Sequence, residues 1–291
     1  GQTVETINDS PEYHLALVYQ ENGEFTRKLS QGAIDTCYLK GSSLNVFSCS
    51  PTDQFSINDY FQLAMLTNYD GIIVDGESPD LYPLINQAYT AGVPVVTILS
   101  DLPGSSRISY VGVNNHRAGY IAGREMLKRI PSAHPRLAII STDFTEDNYT
   151  PSAEYLKIFG FREAISSNPD AVIVTWEKTR PKMLDALQVI TDILSRYPDI
   201  DGIFTTQSTA TMAAANLLGN GREKRVVFIG YGDNKDIITA IKEGVIDISL
   251  TIDPYQIGVN AVKELLTYLN EKKVNLYSNI DIQFLTLEEI K

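Results

Sequence analysis

Short apolar runs, each followed by a stretch with helical spacing, recur along this chain from Glu12 to Leu285, and that alternation limits the fold more than any other feature. A strand without a polar face must be covered on both sides, as in a parallel sheet with crossover helices. The first runs are Glu12–Tyr19, Leu44–Cys49, Gly71–Val74, Val93–Leu99 and Tyr110–Val113. The later ones are Leu137–Ile140, Ala171–Thr175, Gly202–Thr205, Val226–Ile229, Val245–Thr251 and Ile280–Leu285. Between them the periodicity predicts helices over Phe25–Leu39, Leu81–Ala91, Ser152–Ser166, Thr209–Leu218, Lys235–Glu243 and Asp253–Asn270. Pro181–Arg196 is another, with proline in its first turn. One more helix carries Phe55, Phe61, Leu63 and Leu66 and is capped by Thr52 or Asp53.

A chain of 291 residues is long for one hydrophobic core, so two domains are expected. The passage between them falls in Ser109–Gly123, where a β run meets Asn114 and Asn115 and a helix of small residues begins. The expected domains are 1–114 plus 253–280, and 115–252 plus 281–291. Strands near Asn114, Thr251 and Ile280 would link them as a three-strand hinge. The fold class is α/β, two Rossmann-like doubly wound parallel sheets, repeated in architecture and not in sequence.

The net charge of −12 argues against a nucleic-acid surface, which needs clustered Lys and Arg to displace counterions from phosphates. No apolar run approaches the roughly 20 residues that span a bilayer. The first residue is Gly1, which leads us to expect a processed or trimmed product from which any signal peptide or anchor is gone. Gly1–Pro11 is polar and unpatterned, read either as a linker from a membrane attachment or as a frayed terminus. Cys37 closes a helix and Cys49 closes the next strand, so they lie at opposite ends of their layer. A strand of about six residues spans about 20 Å, and a disulfide needs Cα atoms under about 7 Å apart. Two free thiols are expected.

Enzyme motifs are missing. The first βα turn, Tyr-Gln-Glu-Asn-Gly-Glu-Phe, has one glycine and no G-x-G-x-x-G fingerprint. Gly219–Arg225 has glycines and bases but no phosphate-loop G-K-[ST]. His14, His116 and His134 are scattered, and no G-x-S-x-G elbow occurs. No catalysis, cofactor or metal is expected.

Open parallel sheets bind ligands at the carboxyl ends of their strands. Those ends are Tyr19–Gly23, Asp75-Gly76, Leu99–Asp101, Ser141–Thr150, Trp176–Arg180, Thr206–Ser208 and Tyr231–Asn234. If two sheets face each other, these loops line one cleft whose amides, acids and aromatic rings suit a small polar molecule with apolar faces. Tyr19, Gln20 and Asn115 are candidates by place. Trp176 either stacks on the apolar face of a ligand or packs between domains. Asp75 and Asp101 either accept hydroxyl protons or organise turns. Tyr149 is a lid residue or exposed, and Arg180 caps, pairs or reaches the ligand.

These residues carry a family resemblance. The segments Ala-Gly-Val-Pro-Val-Val-Thr (91–97), Arg107–Gly123 with its Tyr-Val-Gly-x-Asn-Asn, Gly160-Phe161, Phe228–Asn234, Ile241–Gly244 and Asp253–Gly258 follow in order. Together they resemble the type I periplasmic binding proteins, which include importer subunits, membrane-associated sugar sensors and lac-repressor-like effector domains. The resemblance implies an aromatic ligand contact at Phe25 and a polar one at Asp75. Lys157 stands for the usual arginine, without its planar fork, and Gln207 for the usual asparagine. The family pattern is broken at Leu99, with Asp101 close by, at Gly232, which leaves Asp233, and at Ile252.

No DNA-binding headpiece precedes Tyr13, so the extracytoplasmic members are the expected match. The implied function is a solute-binding protein that closes on a small polar ligand, a monosaccharide or derivative, and signals to a membrane histidine kinase. The alternatives are the sugar-binding subunit of an ABC importer, with a permease as partner, and the effector domain of a lac-repressor-like regulator.

Overall fold

Leu15, Leu17, Ile72, Ile73, Val95 and Val96 are wholly buried, as strands covered on both faces require. The computed structural model describes residues 3–5, 10–50, 52–142, 152–219, 221 and 224–290. The chain runs β1 (Thr3–Glu5), β2 (His14–Gln20), α1 (Gly23–Leu39), β3 (Ser43–Cys49), α2 (Ile57–Leu66), β4 (Gly71–Asp75), α3 (Leu81–Thr90), β5 (Val95–Ile98) and β6 (Ser109–Gly112). It continues with α4 (Asn115–Arg129), β7 (Arg136–Thr142), α5 (Ala153–Ile165), β8 (Val172–Thr179), α6 (Met183–Arg196), β9 (Gly202–Thr205) and α7 (Ser208–Leu218). Then come β10 (Val227–Tyr231), α8 (Lys235–Lys242), β11 (Ile248–Thr251), α9 (Pro254–Glu271), β12 (Tyr277–Asn279) and β13 (Gln283–Leu285).

Two compact units result, Gly1–Val113 with Asp253–Ile280, and Asn114–Ile252 with Asp281–Lys291. In the first unit the strand order is β1-β3-β2-β4-β5-β6-β12, all parallel except β1, which pairs antiparallel with β3. In the second it is β13-β11-β10-β9-β7-β8, again parallel apart from β13 on β11. In each sheet one early strand, β2 in the first and β7 in the second, has its successor on one side and the next strand on the other, the arrangement that opens a crevice at the strand ends.

Both units pack two helices together through paired glycines, α1 on α9 in the first and α4 on α5 in the second. In the first unit a Cβ on Gly32 of α1 would lie 2.1 Å from the Tyr255 carbonyl, and one on Gly258 of α9 2.0 Å from that of Leu29. In the second, a Cβ on Gly119 of α4 would lie 1.7 Å from the Lys157 carbonyl, and one on Gly160 of α5 1.9 Å from that of His116. Backbone cannot move aside as a side chain can, so Gly119→Ala is expected to cost at least the upper end of the about 1–3 kcal/mol of ordinary overpacking. Urea unfolding checks this, and an unchanged midpoint would mean the helices do not approach so closely.

The structure corrects several boundaries. Residues 3–5 form an antiparallel edge strand where the sequence offered no pattern. Ser56, and neither Thr52 nor Asp53, caps α2: its hydroxyl accepts from the Asp59 N–H while Asp59 accepts from the Ser56 N–H, a capping box. Asp53 accepts from the Ser50 N–H instead, at 2.8 Å. Phe55 lies ahead of the helix, and Leu66 is 77% exposed. Pro181 stays outside α6. The strand expected over Ile280–Leu285 is confined to β13, which extends the second sheet; β12, which extends the first, lies just ahead of it and was not expected, and the chain passes between units after Ile280. Cys37 and Cys49 are buried free thiols, and burial raises them to about 12 and about 11.

Candidate functional site

The strand-order reversal of the first unit puts β2 beside β4. Their register pairs Val18 with Val74, which brings Tyr19, the next to last residue of β2, beside Asp75 at the end of β4. Tyr19 is buried and Gln20 half-buried. Asp75 is only 6% exposed, and among the described residues no donor reaches its Oδ1. Burial, and then the charge of Glu77, push this carboxyl up to about 7, against the backbone N–H groups of Glu77 and Ser100, which hold it down. A buried carboxylate oxygen without a donor is costly, which makes this strand-end carboxyl a candidate binding position.

Asp101, in the loop after β5, is already engaged. Arg107 holds it with a two-pronged fork, Nη2 to Oδ2 at 2.8 Å, while the Thr97 hydroxyl and the Leu102 N–H donate to Oδ1 at 3.1 and 2.8 Å. Its place here is structural, fastening the loop. Leu99, where the family pattern has a carboxylate, sits at φ +64, a conformation that costs a leucine energy. Phe25 lies half-buried in the first turn of α1. Tyr19 also lines a hollow of about 860 Å³ against α1 and β3, with Thr26, Ser30, Ser48, Arg27 and Asp53. The sequence reading had not picked out those other linings.

In the second unit the reversal lies between β7 and β9. Lys157, 5% exposed, points its ammonium at the end of β9, donating to the Thr206 carbonyl at 3.0 Å and to Glu154 at 3.3 Å. It also lies 3.9 Å from the centre of the Tyr231 ring. Burial alone would lower its pKa, but Glu154 and Tyr231 outweigh it and raise it. Glu154 in turn accepts from the Thr206 hydroxyl. Glu154, Thr206 and Tyr231 were missed as a group, although the Glu154-x-x-Lys157 spacing places both charges on one helix face.

The other candidates are held by local structure. Gln207 caps α7, its carbonyl accepting from the N–H groups of Thr209 and Ala210 at 2.9 and 3.3 Å. Trp176 does not end its strand, since β8 continues to Thr179. Its indole donates to the Ser141 hydroxyl at 2.9 Å and its ring packs on the α4–α5 side of the core. Asn114 caps α4 through the Arg117 N–H, which leaves Asn115 as the first helical residue. Arg180 pairs with Asp185. Asp233 is exposed. Gly232 has φ +115, and a Cβ there would meet the Ser208 hydroxyl at 2.5 Å, so an acid cannot occupy that position in this backbone. Tyr149 lies outside the described residues. Among the described residues no helix is long and apolar enough to cross a membrane.

Residues 15–273 match the family described as the periplasmic binding protein domain. The ribose import binding protein RbsB of Escherichia coli K12 is 21% identical over 199 residues, 68% of this chain and 65% of its own length, so the match spans just under two thirds of that relative. GanP, a glucose-galactose binding protein from Geobacillus stearothermophilus, superimposes with a TM-score of 0.81 at 25% identity over 96% of this chain and 99% of its own. A periplasmic ribose ABC transporter protein from Conexibacter woesei gives a TM-score of 0.87 at 17% identity, covering 97% and 94% of the two chains.

Proposed function

Because the chain belongs to the periplasmic binding protein domain family, we propose that it is an extracytoplasmic solute-binding protein that closes on a monosaccharide or a close derivative, using groups at the strand ends of each unit, and works with a membrane partner. Asp75 carries this reading. Among the described residues its buried oxygen has no donor at the strand-order reversal of the first unit, and a sugar hydroxyl would supply that hydrogen bond. Tyr19, beside it, adds an aromatic face for the apolar side of a sugar ring. Of the partners the sequence left open, an importer's permease is favoured over a histidine kinase or a DNA-bound regulator. The support is that the relatives are described as import, binding and transport proteins. No catalytic step is proposed.

A thermal-shift panel of D-ribose, L-arabinose, D-xylose, D-galactose and D-glucose tests the proposal. A sugar present at 100 times its Kd adds about 2.7 kcal/mol of stability, a rise of several degrees in Tm. The panel is expected to contain at least one such sugar. No shift with any member overturns the carbohydrate reading.

A further inference from the structure

Arg107 is one of the most buried charges of the first unit, its side chain 3% exposed, and its partners lie on two separate segments. Its fork closes on Asp101, in the loop between β5 and β6, and its guanidinium carbon lies 5.1 Å from the centre of the Tyr277 ring, on β12. The same two segments are tied by further bonds. The Tyr110 hydroxyl reaches back to the Leu99 carbonyl at 2.8 Å, and the Tyr110 N–H donates to the Leu276 carbonyl at 3.0 Å. Tyr110 is also the register partner of Tyr277. A Cβ on Gly112 would fall 2.2 Å from the Tyr110 hydroxyl, so glycine there lets that ring lie flat along the strand. The Ser109 hydroxyl donates to the Asn275 carbonyl. The loop fastened in this way contains Leu99 in its left-handed conformation, and β12 ends at the residues from which the chain leaves this unit.

We propose that Arg107 is a positioning residue that couples the 99–106 loop to β12, so that a displacement of either is felt by the other. Asp101 and Tyr277 are its two ends. Asp101 holds the edge of the guanidinium through paired charge-assisted hydrogen bonds, and the guanidinium carbon lies over the Tyr277 ring. A lysine offers no plane and holds one end at a time. The coupling itself needs no ligand. Its use, passing a change at a strand-end loop on to the last crossing, rests on the binding function proposed above.

Amide hydrogen exchange on the full chain without sugar tests the coupling separately from sugar binding. Tyr277→Leu removes an exposed ring and is expected to raise exchange at least tenfold in peptides from 99–106 while leaving α2 and α3 unchanged. Asp101→Asn should do the same in peptides covering 277–280. Arg107→Lys should loosen both segments, and Arg107→Met more so. Exchange that rises only in the segment bearing each substitution overturns the coupling, whatever the sugar panel shows. Where a panel sugar binds, Tyr277→Leu should shift its affinity with the urea midpoint unchanged, and an unmoved affinity would remove the functional half of the proposal.

Discussion

Asp75→Asn is expected to stabilise the protein at pH 8 and to leave its stability at pH 4 nearly unchanged. The folded state raises this carboxyl from 3.8 to about 7, so between those values the native chain holds a proton that the unfolded chain has released. Stability contributed by the group therefore falls as pH rises through that window. At about 1.36 kcal/mol per pH unit the loss is on the order of 4 kcal/mol. Asparagine has no charge to desolvate and escapes it. The measurement is the difference between urea-unfolding profiles of wild type and variant from pH 4 to 8, since Asp59, Glu125 and Glu177, all lowered in the folded state, contribute equally to both. A flat difference would contradict the burial of a bare carboxylate. The same variant is expected to lose tenfold to hundredfold in sugar affinity, the worth of one hydrogen bond to a charged group, about 1.5–3 kcal/mol. Wild-type affinity should rise with pH up to about 7 and then level off, because the ionised carboxylate is the better acceptor.

Lys157→Met is expected to destabilise the chain by about 3–5 kcal/mol, the usual result of leaving one member of a buried ion pair alone. Glu154, its side chain 16% exposed, would keep only the Thr206 hydroxyl. The double variant Glu154→Gln/Lys157→Met should recover most of the loss, since it removes both charges together, and urea unfolding of the four proteins closes the cycle. Additive losses would show that the two charges do not act as a pair. The outcome also bears on the family pattern. A lysine committed to Glu154, the Thr206 carbonyl and the Tyr231 ring shapes the end of β9, and does not offer a free cation in the manner expected of the arginine it replaces.

Much of the architecture was legible because central parallel strands advertise themselves. Leu15–Val18, Gly71–Val74 and Gly202–Thr205 are covered on both faces and read as unbroken small or apolar runs. Edge strands do not. β1 is bonded to a single neighbour, and the polar second half of β8, Glu177–Thr179, gives no apolar run to find. The alternation of Ile280, Ile282 and Phe284 pointed to β13, whereas β12, with the sequence Tyr-Ser-Asn, offers no apolar run and was missed. At the site, position at a strand end singled out Asp75 among the candidates. It was not enough to separate a ligand group from a structural one. Asp101, Gln207 and Trp176 spend their polar atoms on Arg107, on a helix cap and on Ser141, and Ser141 lies 35 positions away in sequence. Gly232 looked like a missing acid, and its positive φ shows a backbone that no acid could share.

Titration calorimetry of the whole chain at pH 8, sugar by sugar, alongside Asp75→Asn, tests most directly that this carboxylate holds a sugar. For at least one pentose or hexose the predicted result is a saturable heat at one sugar per chain, weakened tenfold or more in the variant. The contradicting results are no heat from any sugar, or an affinity identical in both proteins.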